Sequence, residues 1–470
     1  MSPPNFVFIL IDDMGWKDLG CYGSTFYETP NIDRLAADGM RFTDGYASCP
    51  VCSPTRASIM TGRYPARVGV TNFIGGHTRG KLIDAPYIDH LPLEEHTLAS
   101  ALKDAGYNTY HVGKWHLGGE PYWPEKQGFD ENVAGCHWGM PTQGYFSPWG
   151  NPMLEDGPEG EFLTDRLTDE AIRLVRNNGP DPFFLYMSYH AVHVPIQAKD
   201  AYIRRFEAKV KELGLDNVKT FEEGKHFPCE HKKDRRIQRR LLQSDPTYAA
   251  MVNILDENIG RLLKTIQEVG KTEETVVIFT SDNGGLATAE GAPTCNAPLA
   301  EGKGWMYEGG TREPLIVKWP GRTQPGSVCS VPVTSTDFYP TLLEMAGRDP
   351  LPEQHCDGVS IAPLLRGEAP PDRDAIFWHY PHYGNQGGTP GCSVRAGDWK
   401  LIEFFEDGRL ELYNLRHDVS EEKDLAEEEP RRAETLHRQL VQWRDEIEAI
   451  IPQPNPDYDP ADWPDVNPEE

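Results

Sequence analysis

The stretch NFVFILIDD, residues 5–13, decides the fold of this 470-residue chain. Its first part, Asn5–Ile11, is a short run of mostly aromatic and branched side chains, which predicts a strand buried on both faces. Strands of this kind lie inside parallel sheets whose faces are covered by helices. The run ends at two carboxylates, Asp12 and Asp13. The opening stretch therefore predicts an α/β protein with acidic residues at one edge of its sheet.

Predicted strands and helices alternate along most of the chain. Residues 183–189 and 275–280 are typical of further buried strands, and residues 164–177 and 247–269 are typical of helices. This alternation predicts a large, mainly parallel mixed sheet sandwiched by helices. In such sheets, ligands bind at the carboxyl edge of the strands. The polar residues expected at that edge are Asp12, Asp13, His190, His193, Asp282 and Asn283.

Residues 1–365 form the predicted catalytic domain. Within it, residues 207–245 are dense in charge and are interpreted as an insertion. The part from 225 to 240 is basic in an otherwise acidic protein, and we interpret it as a solvated helix face.

Residues 366–470 form the second predicted domain, which is a smaller α+β unit. Short alternating segments predict an antiparallel sheet, with one of its strands over residues 392–405. A helix is predicted over residues 430–450. From residue 452 the chain is rich in Pro and Asp, which predicts an irregular tail.

The composition is strongly acidic, with 46 Lys and Arg against 73 Asp and Glu and a formal net charge of −27. Such a surface argues against nucleic acid and against an anionic membrane as a partner. An anionic substrate would need a local positive pocket inside this field. No apolar run is long enough for a membrane span or for the core of a signal peptide. The chain as written is predicted to be cytoplasmic, or secreted or periplasmic if a leader has been removed.

Nine cysteines at irregular spacing fit a disulfide framework poorly. Cys49 and Cys52 form a C-x-x-C pair, which leaves zinc or redox chemistry as one interpretation, although no second pair supports zinc. Cys52 also opens the pentapeptide CSPTR, which ends at Arg56. Pro54 suits the first turn of a helix. Cys52 would then lie at a helix N-terminus, where free N–H groups and the helix dipole favour negative charge.

This pentapeptide resembles the C-x-P-x-R signature of the type I, formylglycine-dependent sulfatases of the alkaline-phosphatase-like superfamily. Other segments resemble further motifs of that family, and together they cover most of the chain. The resemblance implies an alkaline-phosphatase-like fold. The matching segments are NFVFILIDDMGW (5–16), GKWHLG (113–118), HVP (193–195), SDNGG (281–285), GKG (302–304) and YEGGTREP (307–314).

The resemblance implies a nucleophile made from Cys52. In the family a maturation enzyme converts this cysteine to formylglycine, whose hydrate supplies the attacking hydroxyl. The resemblance also implies a metal ion, bound by the modified residue 52 and by side chains that are all hard oxygen donors. Such donors suit Ca²⁺, and Mg²⁺ fits less well. The four side chains are Asp12, Asp13, Asp282 and Asn283.

The remaining matched residues receive their roles from the same resemblance. Arg56 is expected to place a fixed positive charge beside the nucleophile. Lys114 and Lys303 are expected to neutralise sulfate oxygens as charge builds on them. His116 is the expected base for the second hydroxyl of the nucleophile. His193, together with Lys303, is the expected acid for the leaving alcohol.

A sulfated carbohydrate is the substrate that the resemblance implies. We expect exo-action on glycosaminoglycan-type sulfates of N-acetylgalactosamine, galactose or N-acetylglucosamine. Loops that combine aromatic, basic and amide side chains suit a sugar ring. The candidate substrate-binding residues are His77, Arg79, Trp138, His190 and His382.

Two other functions stay open from the sequence alone. A phosphonate monoester or phosphodiester hydrolase of the same superfamily can share the cysteine signature. A non-catalytic sulfated-glycan-binding protein would keep Cys52 as a thiol. The oligomeric state is not set by any of these patterns.

Overall fold

The computed structural model describes residues 3–459 of the chain. The strands, numbered along the chain, are β1 (Asn5–Ile11), β2 (Met40–Tyr46), β3 (Asn108–Gly113), β4 (Glu131–Val133), β5 (Phe183–Ser188), β6 (Phe221–His226), β7 (Arg236–Arg240), β8 (Thr275–Ser281), β9 (Arg312–Lys318), β10 (Ser327–Cys329), β11 (Val333–Thr334), β12 (Ile376–Tyr380), β13 (Gly391–Ala396), β14 (Trp399–Phe404) and β15 (Leu410–Asn414).

The α-helices are numbered in the same way. They are α1 (Pro30–Asp38), α2 (Cys52–Thr61), α3 (Pro65–Val68), α4 (Leu98–Asp104), α5 (Leu163–Asn177), α6 (Asp200–Glu212), α7 (Pro246–Glu268), α8 (Glu308–Thr311), α9 (Phe338–Met345), α10 (Ala362–Leu365) and α11 (Pro430–Glu446).

The largest sheet is mixed and mainly parallel. Its strands run in the order β10-β2-β9-β8-β1-β5-β3-β4, and β11 pairs with β2. β1 lies at its centre, parallel to both β5 and β8. β9 runs antiparallel to its two neighbours, β2 and β8. The fold class predicted from the sequence is confirmed for this sheet.

Helices cover both faces of the main sheet, because the side chains on both faces of β1 are buried. All seven residues of β1 are buried. Val7 and Ile9 pack into a core shared with buried residues of α5 and α7. Phe6 and Phe8 point the other way, into a core shared with α4 and α9. Because both faces are used for packing, the loops at the carboxyl edge are left to carry function.

A separate four-stranded antiparallel sheet, in the order β12-β13-β14-β15, lies near the C-terminus and packs against α11. The prediction of one strand over residues 392–405 is wrong. Gly397 has φ of 59°, and the tight turn there lets Ala396 pair with Trp399, so the segment folds into β13 and β14. The small antiparallel sheet itself is confirmed, whereas the domain boundary at residue 365 stays a prediction.

The basic segment over residues 225–240 is not a helix face, and that interpretation is wrong. The segment contributes to the antiparallel hairpin of β6 and β7. Its apolar side chains seat it on neighbouring loops: the Phe227 ring lies 5.7 Å from the Trp305 ring. Cys229 packs in a small cluster with Leu82 and Tyr383. The segment forms a hairpin and not a helix because its scattered apolar residues pack on several neighbouring loops. Residues on one face of a helix could not contact all of these loops.

Part of the predicted irregular tail is paired with a loop. The Ile83 N–H donates to the Gln453 carbonyl at 2.8 Å, and the Asn455 N–H donates to the Lys81 carbonyl at 2.9 Å. The stretch over residues 453–455 is therefore held in place. Residues 460–470 lie outside the described part of the chain.

Two expectations from composition can be compared with the described residues. Between residues 3 and 459, no helix is both long and apolar enough to span a membrane. All nine cysteines are free thiols, in agreement with the poor fit to a disulfide framework.

Candidate active site

The carboxyl ends of β1 and β8 bring four oxygen-donating side chains together. Because the two strands are adjacent and parallel, Asp12 and Asp13 leave the sheet beside Asp282 and Asn283. Asn283 Nδ2 donates to Asp13 Oδ1 at 2.8 Å, and the Asp13 N–H donates to Asp282 Oδ1 at 3.3 Å. Asp13 adopts a left-handed φ of 62°, which is uncommon outside glycine and typical of functional turns. All four side chains are buried.

Cys52 begins α2 and faces this acidic group. Val51 before it is extended, and no side chain caps the helix start. Cys52 Sγ lies 3.3 Å from His116 Nδ1. Burial raises the pKa of the Cys52 thiol, although Lys114 and Lys303 act against the shift. An unmodified Cys52 therefore remains a protonated and weak nucleophile.

Arg56 lies one turn further along α2 and donates hydrogen bonds to residues at the ends of several strands. Its Nε donates to Asp282 Oδ2 at 2.9 Å. Its Nη1 donates to the Lys114 carbonyl at 3.0 Å and to Ser188 Oγ at 2.6 Å. Burial opposes the guanidinium charge, but Asp282 and Asp12 hold the pKa of Arg56 above its ordinary value. Arg56 is thus a fixed cation under the carboxylates.

Two buried lysines each contact one aspartate of the β1 pair. Lys114 Nζ donates to Asp12 Oδ2 at 2.7 Å, and Lys303 Nζ donates to Asp13 Oδ2 at 2.8 Å. Burial disfavours the Lys303 ammonium, yet Asp13 and then Glu290 raise its pKa above the ordinary value. Lys303 is therefore charged at neutral pH.

His116 is held between residue 52 and a loop carbonyl. Its Nδ1 lies beside Cys52 Sγ, and its Nε2 lies 3.2 Å from the Ile74 carbonyl oxygen. Burial lowers the pKa of His116 well below its ordinary value, and Lys114 and Arg56 add to that shift. The ring is neutral at pH 7 and can accept a proton.

His193 is paired with Lys303 on the other side of the acidic group. Its Nε2 lies 3.0 Å from Lys303 Nζ, and its Nδ1 lies 2.9 Å from the Val194 carbonyl oxygen. Burial lowers the pKa of His193 to about 3, although Asp13 opposes the shift. The imidazole and the ammonium thus share one hydrogen bond in which Lys303 carries the charge.

The carboxylates and the amide fit a divalent cation. Asp12 Oδ1 and Asn283 Oδ1 are buried and accept no hydrogen bond from the described residues. Asp12, Asp13 and His193 each place a ligand atom within 4.8 Å of the others. Burial raises the pKa of Asp12 well above its ordinary value, and Asp282 and Asp13 add to that shift. A cation at this position would relieve the repulsion and satisfy the two free oxygens.

Two protein families match overlapping parts of the chain. Residues 4–348 match the family described as Sulfatase, and residues 301–446 match the family described as N-sulphoglucosamine sulphohydrolase, C-terminal. The chain belongs to the sulfatase family. It is therefore a sulfuric ester hydrolase, and the family is one of metal-dependent formylglycine enzymes. The resemblance seen in the motifs is confirmed.

Individual relatives of this sulfatase cover most of its length. A sulfatase of Formosa agariphila is 34% identical, over 91% of this chain and 85% of the relative. The human N-acetylgalactosamine-6-sulfatase is 34% identical, over 80% of this chain and 68% of the relative. The crystal structure of Ps i-CgsB in complex with k-i-k-neocarrahexaose has a TM-score of 0.75 at 29% identity, covering 94% of this chain and 93% of that one. The alkaline-phosphatase-like fold is thereby confirmed.

Three of the candidate substrate-binding residues of this sulfatase lie on loops. His77 and Arg79 are exposed. Trp138 is half-buried in the loop that covers His116, where a Cβ on Gly139 would lie 2.6 Å from a carbon of the His116 ring. Substrate contact by these three residues stays a prediction.

The other two candidates, His190 and His382, are buried. His382 Nδ1 lies 2.8 Å from Asp84 Oδ1, and its Nε2 lies 2.8 Å from Thr71 Oγ1, so both ring nitrogens are in use. Contact of His382 with substrate stays a prediction. His190 Nδ1 has no hydrogen-bond partner among the described residues, and its backbone carbonyl accepts from Tyr145 Oη at 2.7 Å. Its contact with substrate stays a prediction.

The motifs did not point to two residues that shape the site. Ser188 accepts the hydrogen bond from Arg56, and its place at the end of β5 was the available signal. Tyr145 Oη donates to the carbonyls of His190 and His193, at 2.7 and 2.9 Å, and so fixes the turn that presents His193. Tyr145 comes from a distant loop, so no spacing in the sequence marks it.

Proposed function

We propose that this sulfatase hydrolyses sulfate esters of carbohydrates, with Cys52 acting after conversion to formylglycine. The observation that carries the proposal is the convergence of three buried cations on the start of α2, where Cys52 lies. Together with a divalent cation in the acidic group, these cations would make a positive pocket in a protein of net charge −27, where an anionic ester would meet residue 52. They are Arg56, Lys114 and Lys303.

We assign Ca²⁺ to the acidic group, held by four oxygen donors and the modified residue 52. Ca²⁺ takes about six to eight oxygen ligands in flexible geometry, whereas Mg²⁺ requires near-ideal octahedral ligands and fits less well. Bound there, the ion would polarise a sulfate oxygen as a Lewis acid. The two free oxygens, Asp12 Oδ1 and Asn283 Oδ1, support this assignment. The donors are Asp12, Asp13, Asp282 and Asn283.

His116 is the proposed base beside residue 52. Formylglycine, as its hydrate, supplies two hydroxyls at that position. The Ile74 carbonyl can only accept, so Nε2 of His116 carries the hydrogen and the Nδ1 lone pair faces residue 52. The lowered pKa of His116, caused first by burial, keeps this lone pair available to take a proton.

His193 and Lys303 are the proposed proton source for the leaving alcohol. They share a 3.0 Å contact, and Asp13 Oδ2 accepts from Lys303 Nζ at 2.8 Å, which fixes the ammonium. The ammonium holds the proton while the imidazole orients it. Lys303 and Lys114 also neutralise charge on the sulfate oxygens.

The proposed substrate is a glycosaminoglycan-type sugar sulfate attacked at a chain end. The human relative named N-acetylgalactosamine-6-sulfatase, at 34% identity, supports an N-acetylgalactosamine or galactose sulfate, and N-acetylglucosamine sulfates are the next class. A formylglycine-generating maturation enzyme is the required protein partner. We also propose the division into a catalytic domain, residues 1–365, and a smaller domain, residues 366–470.

Two measurements test the proposed function. In protein made with the maturation enzyme, mass spectrometry of the peptide that contains Cys52 should show loss of the thiol and gain of an aldehyde. The same protein should release sulfate from sulfated monosaccharides faster than it cleaves a matched phosphodiester. Full activity with an intact thiol, or a faster phosphodiester reaction, would contradict the proposal.

A further inference from the structure

Three side-chain oxygens near Lys303 accept no hydrogen bond from the described residues: Glu290 Oε2, Asn385 Oδ1 and Gln386 Oε1. We name these residues the acceptor cluster. Both amides donate to the other carboxylate oxygen, since Asn385 Nδ2 and Gln386 Nε2 lie 2.8 and 2.7 Å from Glu290 Oε1. Gln386 is only 5% exposed, and the other two are half-buried. Buried acceptors without donors are costly, so they point to a ligand that brings donors.

The acceptor cluster is anchored to the segment that carries Lys303. A Cβ on Gly304, the next residue, would lie 2.9 Å from Gln386 Cβ. Trp305 Nε1 donates to the Gln386 carbonyl at 3.0 Å. The cluster therefore packs against the residues that directly follow Lys303, the group proposed to protonate the leaving alcohol.

The loops that carry the cluster are closely packed. A Cβ on Gly388 would come within 2.0 Å of the Gly304 carbonyl oxygen, so only glycine allows this approach. On the other loop, Glu290 has a left-handed φ of 51°, and the Ala292 N–H donates to the Ala289 carbonyl at 2.7 Å. The acceptors are thus held in place before a ligand arrives, which favours selective binding.

We propose that the acceptor cluster binds hydroxyl groups of the sugar that carries the sulfate, and so selects sugar sulfates over aryl sulfates. This inference rests on the proposed function and deepens it. The sulfate side of the site presents donors and positive charge, whereas the cluster presents acceptors. A sulfated sugar matches both, because it joins an anionic ester to several O–H donors. An aryl ring brings no such donors.

The test uses Glu290→Ala and Gln386→Leu in the full chain with converted Cys52. The substrates are the 6-sulfates of N-acetylgalactosamine, galactose and N-acetylglucosamine, together with 4-nitrophenyl sulfate. On the sugar that the wild type cleaves fastest, kcat/KM should fall roughly 10- to 100-fold for Glu290→Ala and about 10-fold for Gln386→Leu. On 4-nitrophenyl sulfate it should stay within about twofold. Glu207→Ala, on the exposed side of α6, should change neither.

Monodeoxy analogues of the fastest sugar separate direct binding from an effect through Lys303. If Glu290 contacts a hydroxyl, the wild type is slower on the analogue that lacks this hydroxyl. On that analogue Glu290→Ala should be little slower than the wild type, so that the effects of the substitution and of the missing hydroxyl are not additive. Additive losses on every analogue would overturn the inference. Turnover of 4-nitrophenyl sulfate without turnover of any of the three sugar sulfates would also overturn it. Failure on all four substrates would instead contradict the proposed function.

Discussion

Two clusters of buried charge differ in what they leave unsatisfied. The active-site cluster has three acids and three bases: Asp12, Asp13, Asp282, Arg56, Lys114 and Lys303. The inter-sheet cluster, which joins the main sheet to the small antiparallel sheet, also has three of each: Asp44, Glu308, Glu421, Arg312, Arg395 and Lys400. Formal charge is balanced in both, so charge alone does not tell the two apart.

Contacts around individual oxygens do tell them apart. Lys400 Nζ lies 3.0 Å from Glu308 Oε1 and 3.1 Å from Glu421 Oε1, so even the Glu421 oxygen that accepts no aligned hydrogen bond touches an ammonium. In the active-site cluster, Asp12 Oδ1 accepts no hydrogen bond, and the Arg56 Nη2 contact is 3.8 Å long. The carboxylate oxygens of the inter-sheet cluster all have a donor or cation nearby, whereas Asp12 Oδ1 in the active-site cluster is left to bind a ligand. We infer that unused hydrogen-bonding capacity, more than burial, marks the functional cluster.

The largest expected effect is on stability, from Lys400→Met in the inter-sheet cluster. The variant leaves Glu308 and Glu421 buried without their shared cation, which should lower the free energy of unfolding by about 3–5 kcal/mol. Denaturant unfolding measures the loss. Lys423→Met is the matched control, because its ion pair with Glu428 is exposed and contributes little. A loss as small as the control's would show that the inter-sheet cluster does not hold the sheets together.

Lys114→Met makes the same change in the active-site cluster, at an equally buried lysine. We expect kcat to fall roughly 10²- to 10³-fold, because a donor to the charge developing on sulfate is removed. The loss of stability should be smaller than for Lys400→Met, because Lys114 pairs with one carboxylate, Asp12, whereas Lys400 pairs with two. Steady-state rates and denaturant unfolding test both statements. Equal losses of stability in the two variants would remove the contrast between the clusters.

Calcium should stabilise the protein through the active-site cluster alone. At a free ion concentration about 100-fold above Kd, binding adds about 2.7 kcal/mol to the free energy of unfolding. Thermal unfolding with calcium and with a chelator measures this shift. Asp282→Asn should reduce it, whereas Lys400→Met should keep it. An undiminished shift in Asp282→Asn would place the ion elsewhere.

The main sheet and the strand-end residues could be predicted from the sequence for a physical reason. β1 and β8 are short apolar runs that end at polar pairs, and parallel neighbours end at the same edge. Asp12 and Asp282 therefore had to meet, and the structure places them together. Their roles, like those of the other site residues, stay predictions.

The acceptor cluster and the inter-sheet cluster could not be predicted in this way. Glu290 and Gln386 come from two loops with no periodic pattern, and they meet because Trp305 anchors one of them. Glu308 begins the short helix α8 and Lys400 lies on β14 of the small sheet, so these two residues also come from separate parts of the chain. Local patterns mark strands and turns, but they do not mark which loops come into contact.

The smallest expected effect is at Cys49, the other half of the C-x-x-C pair. Cys49 is fully buried and packs beside Tyr46 and Val51. Burial raises the pKa of its thiol above the ordinary value, so it stays protonated and acts as a small apolar side chain. Cys49→Ala should keep kcat/KM and cost about 1 kcal/mol of stability for the lost volume, whereas Cys52→Ala should abolish turnover. Rates and unfolding of both variants decide between the interpretations. A zinc site or a redox pair needs both thiols, whereas formylglycine needs only Cys52. Loss of activity in both variants would therefore favour a role for the Cys49 and Cys52 pair.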